Sequence, residues 1–363
     1  MEKIGLVRTR DGKSFLVPFI LITSLFFLWG VAHSILDVLN KHFQDTLEIT
    51  RTRSALIQAV VYGGYFIMAL PAGRIIRRFG YRTGVLTGLV LYGIGALLFI
   101  PGERIQSFEF FLLALFVIGC GLTCLETASN PYVTVLGEPE GSERRINLAQ
   151  SFNGLGWICG PLAGGFFLFA GGGDVTTPYA VLGTVVLCIA ILFSRVKLPE
   201  IGREAESGQA EASGKSLWRT TSFTVGLLSL FLYVAAQTGI NSFFINYATE
   251  NAGVSAQEAS VWLSFGGMGL FMAAVILMPG GAGWYFLLLC FLCESIMFPT
   301  IFSLSLRHVG TQTKQASSYL IMSIVGGAVA PLLMGLIADR ISMAVGFIVP
   351  LVCFMEIWGF AAK

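Results

Sequence analysis

Charge is scarce in this chain: only 12% of its 363 residues are Asp, Glu, Lys or Arg, where a soluble globular protein carries about 25%. Set against 55% hydrophobic residues and a mean hydropathy of +0.76, that scarcity excludes a soluble domain and reads as an integral membrane protein. Long polar stretches are equally rare, with one exception at 195–221, so no separate soluble domain has room. The net charge of +2 and pI near 8.1 are too mild for a nucleic-acid partner. Motifs of enzyme chemistry are missing too. Neither HExxH nor GxSxG occurs, and no His/Cys/Asp cluster has ligand spacing, so an enzyme, a metal and a cofactor are not expected. The seven cysteines all fall in apolar segments and read as small buried hydrophobes. Cys290 and Cys293 form a CxxC with no second pair, which supports neither zinc nor redox chemistry. GLGWICG (residues 154–160) has the wrong spacing for a dinucleotide fingerprint, and Gly208–Ser216 places its second glycine too late for a phosphate loop.

What remains is apolar helix. A span needs roughly 20 apolar residues, and at about 30 with its loop this length holds about 11 or 12 helices. The run from Phe15 to about Leu39 is too long for a signal-peptide core and forms the first predicted helix, with His33 and Asp37 at i, i+4 on one face. Further helices are predicted at about Ser54–Ile76, Thr83–Pro101, Phe108–Leu136, Ile146–Ala170, Tyr179–Phe193 and Phe223–Tyr247. The turn Gly73–Arg82 carries four arginines and no acid, a cytoplasmic signature. Glycines 154, 156, 160, 164 and 165 in the fifth helix let a neighbouring helix approach closely. The 195–221 segment is a flexible linker between an N-terminal bundle (1–194) and a C-terminal bundle (222–363).

One stretch stands out. Cys120–Gly137, CGLTCLETASNPYVTVLG, sets Glu126 inside a run otherwise apolar enough to cross a bilayer, where an acid costs roughly 2.5–3.5 kcal/mol on insertion scales. Asn130 and Pro131 follow closely, and the segment reads as the centre of a transport pathway.

The second half repeats the first. Residues 24–43, SLFFLWGVAHSILDVLNKHF, match 229–248, SLFLYVAAQTGINSFFINYA, at an offset of 205, while Pro131 meets Pro299 at 168 and Pro161 meets Pro331 at 170. Glu126 thereby falls on Glu294, Asn153 on Ser323 and Gly156 on Gly326. The plan is two parallel repeats with a substrate site at mid-membrane between them. The fall in offset means that the second repeat lacks 37 residues, and Glu258–Met278 reads as the start of an eighth helix joined near Met272 to the end of a ninth. Further helices are predicted at Trp284–Leu306, Gln315–Ala338 and Ala344–Ala362. Eleven helices from an inside N-terminus put Arg307, His308 and Lys314 outside, against the positive-inside rule, unless the fused segment fails to span. Glu294 and Glu356 read as structural.

The words SLFFLWGVAHSILDVLN, CLETASNPYVTVLG, NLAQSFNGLG, MFPTIFSL and KQASSYLIMSIVGG resemble the fucose permease branch of the major facilitator superfamily, the proton-coupled sugar symporters that also include bacterial glucose/galactose permeases. The resemblance covers nearly the whole chain outside the missing piece. It implies an all-α major facilitator fold of two six-helix repeats, the second shortened, and uptake of a monosaccharide (L-fucose, glucose/galactose or similar) with a proton. The expected setting is the bacterial inner membrane, multi-pass, N-terminus cytoplasmic, as a monomer. It further implies that Asp37 and Glu126 are the carboxylates of sugar binding and proton coupling, and that Gln150 and Asn153 bind sugar hydroxyls. Gln237 and Asn241 would join them across the pseudo-twofold, with His33, Trp29 and Asn130 as further candidates. His33 stands where the branch usually has Asn. Two other readings stay open: a remnant that the lost segment has disabled, and an exporter of another small solute on the same fold.

Overall fold

The computed structural model describes residues 6–9, 12–105, 107–138, 141–170, 175–196, 217–263, 297–298, 301–302, 304–305 and 313–361. Among these the protein is helical, with eight helices long and apolar enough to cross a membrane. They are α1 (Leu16–Leu47), α2 (Leu56–Phe79, preceded by a helical turn at Arg51–Ser54), α3 (Tyr81–Leu97, extended by Phe99–Ile105), α4 (Phe108–Val135), α5 (Ser142–Gly165), α6 (Thr176–Arg195) and α7 (Thr221–Ala252). The short α8 (Ala256–Leu263) follows, then α9 (Thr313–Ser323) and α10 (Gly326–Arg340), which together supply the eighth span, and α11 (Ile348–Ala361). The predicted join near Met272, Glu294, Cys290, Cys293 and nearly all of the linker lie outside the described residues.

A lipid-embedded backbone must satisfy its own hydrogen bonds, which helices do segment by segment. Prolines 71, 131, 161 and 331 sit inside helices, tolerated because neighbouring helices cover the freed carbonyls. The helix starts carry local caps: Thr50 Oγ1 accepts from the Arg53 amide at 3.2 Å, and Ser107 Oγ from Phe110 at 3.3 Å. Gly80 turns α2 into α3 at φ 88°, and Gly253 ends α7 at φ 68°, both left-handed positions that suit glycine.

α1 runs eight residues beyond its predicted end, and α7 five beyond its own. The added turns are polar, and those of α1 face α7. Asn40 Nδ2 donates to the Ser242 carbonyl at 2.5 Å and Asn246 Nδ2 to Gln44 Oε1 at 2.6 Å, so groups that would end a helix in lipid are paired across a helix seam instead.

The two halves pack by the same device. A Cβ on Gly156 would collide with the Phe27 carbonyl on α1, and one on Gly160 with Ser34; likewise a Cβ on Gly326 would collide with the Phe231 carbonyl on α7. The repeat-matched glycines thus each seat a helix against the first helix of its own half.

α10 also fixes the direction of the chain from Thr313 onward. Gly326 lies against Phe231, Gly327 against Thr238 and Asp339 against the turn at Arg51, which itself bonds Glu250, so α10 runs parallel to α7. The pairs Asp37–Ser242 and Gln44–Asn246 make α1 parallel to α7 as well. Thr313 therefore starts at the end of the bundle where α1 and α7 start. The inversion that a count of eleven helices suggests does not occur, because the seat of α10 on α7 sets its direction.

The halves are latched at the far end of α1. The Arg51 guanidinium bonds Glu250 and donates to the Ala338 carbonyl at 2.9 Å, while the amides of Arg51 and Thr52 donate to Asp339 at 3.1 and 2.9 Å. A Cβ on Gly335 would meet the Arg51 carbonyl oxygen at 2.9 Å, so only glycine admits this approach. At the opposite end, Arg145 is fully buried and spends its guanidinium on carbonyls, donating to Val133 at 3.1 Å, Leu6 at 3.1 Å and Glu138 at 3.0 Å.

Candidate functional site

Halfway along α1, four helices turn polar or aromatic faces to one small space. His33 and Asp37 from α1, Gln58 and Tyr62 from α2, Trp157 from α5, and Thr238 and Asn241 from α7 line an enclosed volume of about 160 Å³. Helical spacing explains the set: His33 and Asp37 are four residues apart, Gln58, Tyr62 and Tyr65 follow i, i+4, i+7, and Thr238 and Asn241 are three apart.

Asp37 is 2% exposed and has two hydrogen-bond donors on one oxygen, Gln58 Nε2 at 2.9 Å and Ser242 Oγ at 3.4 Å. Glu126 is also 2% exposed and does not line the space directly. It reaches the site through Tyr65, whose hydroxyl bonds the Glu126 carboxyl, His33 Nε2 at 2.9 Å and Trp29 Nε1 at 3.2 Å. Among the described residues neither acid has a cationic partner; the ion pairs are Lys41–Asp45, Arg51–Glu250 and Arg53–Glu109. Buried acids without a cation favour the neutral protonated form, and a group that gains and loses a proton in place is what ion coupling requires.

Aromatic rings enclose His33: Trp29 and Tyr62 with centroids at 6.0 Å, Tyr65 at 5.7 Å, and Trp157 nearly parallel at 6.3 Å. Thr238 Oγ1 donates to the Tyr62 hydroxyl at 3.1 Å, bridging α7 to α2. The amide oxygen of Asn241 is buried with no partner, an acceptor open to a donor that the protein does not supply.

The structure thus gathers His33, Asp37 and Asn241, and brings in Glu126 and Trp29 by way of Tyr65. Other expected residues stand apart. Asn153 Nδ2 donates to Gln150 Oε1 at 3.0 Å, and Asn153 abuts Gly30 at the α1–α5 contact, one turn from Trp157. Gln237 and Asn130 do not line the space, although the Asn130 amide oxygen is buried and unpartnered. Reading by residue type missed Gln58, Tyr62, Tyr65, Trp157, Thr238 and Ser242. The heptad-like face of Gln58, Tyr62 and Tyr65 was the available signal.

The chain matches the family model described as Major Facilitator Superfamily over residues 15–341. This chain belongs to the major facilitator superfamily. Within it the protein is 33% identical over 389 aligned residues to the glucose/galactose transporter of Brucella abortus (biovar 1, strain 9-941), covering 96% of this chain and 94% of the relative. It is 34% identical over 410 residues to the L-fucose-proton symporter of Escherichia coli K12, covering 97% and 94%. The solved fucose:proton symporter of E. coli superposes with a TM-score of 0.72 at 33% identity, over 96% of this chain and 99% of that one. A bacterial homologue of the human lysosomal transporter Spinster, 12% identical, gives the same TM-score of 0.72, which speaks for the fold alone. Both aligned stretches exceed the 363 residues of this chain, so these relatives carry positions that it lacks. The chain is a multi-pass membrane protein of that superfamily.

Proposed function

We propose that this protein imports a monosaccharide together with a proton across the bacterial inner membrane by alternating access, with its N-terminus in the cytoplasm and without cofactor, metal or nucleic acid. It acts as a transporter rather than an enzyme, and as a monomer. The observation that carries the reading is the pair of buried acids, Asp37 and Glu126, without a cationic partner among the described residues and set at the junction of the two repeats. Relatives named for fucose–proton symport and glucose/galactose transport supply the substrate class.

The chemistry follows from charge. An ionised acid resists the desolvation that closing the site demands, whereas its protonated form crosses the cycle without that cost. Sugar hydroxyls both donate and accept, so the Asn241 oxygen, the Gln58 amide and Asp37 suit them, and the ring faces of Trp157 and Tyr62 suit the apolar face of a sugar. The space these residues line does not admit even a water-sized sphere, so it holds no sugar as it stands. Binding therefore requires the halves to part. With the N-terminus inside, the Arg51–Glu250–Asp339 latch lies on the outer face, and this state is closed outward.

The test is uptake of radiolabelled hexoses and 6-deoxyhexoses into vesicles with and without a proton gradient. Gradient-dependent accumulation is expected; its absence for every such sugar overturns the reading. A second reading, a transporter disabled by its shortened second repeat, draws on aligned stretches longer than the chain, and the same failure of uptake would favour it.

A further inference from the structure

The Tyr65 hydroxyl has three polar neighbours and too few hydrogens to satisfy them all alike. A phenol offers one O–H donor and two lone pairs. The Trp29 indole N–H can only donate, so at 3.2 Å it takes one lone pair. One hydrogen and one lone pair remain for His33 Nε2, at 2.9 Å, and the Glu126 carboxyl. Of these two, one must therefore accept from Tyr65 and the other donate to it. A Glu126 carboxylate can only accept, which forces a hydrogen onto His33 Nε2. A carboxylic acid that donates to Tyr65 turns the phenol hydrogen toward a bare Nε2.

We propose that His33 is a third member of the coupling machinery, exchanging the proton of Glu126 through the Tyr65 hydroxyl and holding it at the edge of the sugar cavity. The step balances. The carboxyl O–H of Glu126 breaks as its proton bonds to Tyr65 Oη, and the phenol proton passes to His33 Nε2. The products are a carboxylate, an intact phenol and an imidazolium. No other bond changes.

The groups around His33 come from four helices. On α1, Asp37 lies four residues on and lines the same space; α2 presents Gln58, Tyr62 and Tyr65; α5 presents the face of Trp157; α7 presents Thr238 and Asn241. The titratable groups among them are Asp37, Tyr62, Tyr65 and, behind Tyr65, Glu126. Among the described residues no Lys or Arg competes. Ring faces within about 6 Å attract a cation, and an ionised Asp37 across the space would neutralise it. His33 thereby links the two acids, which share no direct contact.

The proposal rests on the symport reading, and the experiment separates the two. Reconstituted vesicles carrying the unaltered chain, His33→Gln and Tyr65→Phe are compared for gradient-driven accumulation, for sugar counterflow, which needs no net proton movement, and for the pH profile of each. His33→Gln keeps a hydrogen-bond donor at the site yet cannot carry a proton; Tyr65→Phe keeps the ring and removes the bridge. Both are expected to lose accumulation by about tenfold more than they lose counterflow, to lower the proton-to-sugar ratio and to flatten the pH profile. An unchanged ratio and pH profile in His33→Gln overturns the proposal, as does a parallel loss of both activities in both variants, which marks a packing role. Failure of the unaltered chain to accumulate any sugar instead removes the symport reading and this inference with it.

Discussion

α1 and α7 fill equivalent places in the two repeats and meet along one seam, but they bring different chemistry to it. At the offset of 205, Asp37 corresponds to Ser242 and His33 to Thr238. Asp37 and Ser242 touch each other at 3.4 Å, which equivalent residues can do only close to the pseudo-twofold axis. On the α1 side the seam holds an acid and an imidazole; on the α7 side it holds hydroxyls and amides. Under the proposed symport, proton handling falls in one half and neutral hydrogen bonding in the other. Two repeats with one fold divide a coupled task between them, because a charge on both sides of a dry seam would cost twice the desolvation.

The largest blow to this division should come from its charged side. Glu126→Gln and Asp37→Asn keep the shape and remove the titrating group, and gradient-driven accumulation is expected to fall by on the order of a hundredfold or more. Accumulation at the unaltered level would show that neither acid couples. Next in size is the latch. Arg51→Ala strands Glu250 and the Ala338 carbonyl and loses charge-assisted bonds of about 1.5–3 kcal/mol, so a thiol placed by Asn246→Cys should react roughly tenfold faster or more with an impermeant maleimide. An unaltered rate would mean that the two ends of the seam open independently of Arg51.

Two smaller effects sharpen the comparison from the neutral side. Gly156→Val and Gly326→Val each press a side chain into the carbonyl of the facing helix, costing about 1–3 kcal/mol by overpacking. Similar drops in melting temperature are expected in detergent, and a drop for Gly156→Val alone would show that the second repeat packs less tightly than the first. Ser242→Ala removes one neutral hydrogen bond to Asp37, worth about 0.5–1.5 kcal/mol. It should change half-saturation for sugar by less than about tenfold and leave the proton-to-sugar ratio intact. A changed ratio would move Ser242 to the proton-handling side.

Much of this architecture is legible in the residues. The helix pattern, the parallel repeats and the seat of α5 on α1 follow from apolar runs, matching prolines and glycines at helical spacing. Glu126 and Asp37 stand out because a carboxylate in an apolar run is costly wherever the helix points. The ring set is harder to see. With aromatics at 13% of the chain, Tyr65 or Trp157 looks like any lipid-facing ring until its hydroxyl or face is located in space. The extra turns of α1 were hidden for a related reason: Asn40 and Gln44 end a helix only if nothing answers them, and their partners are about 200 residues away. Gln150 and Asn153 show the converse, since polar residues in a membrane helix can bond one another locally, here leaving the Asn153 side-chain oxygen buried without a partner.

Arg145 carries a consequence for variation among relatives. Its guanidinium holds the carbonyls of Leu6, Val133 and Glu138, so at Leu6 the bond does not depend on the side chain, whereas Val133 is packed in the core and the Glu138 carboxylate attracts the guanidinium. Substitutions at Leu6 should be tolerated, while the arginine and the number of residues between Leu6 and α1 stay constrained. The stretch before the first span is then conserved in length rather than in spelling, and a one-residue insertion ahead of Leu16 would do more harm than replacing Leu6 itself.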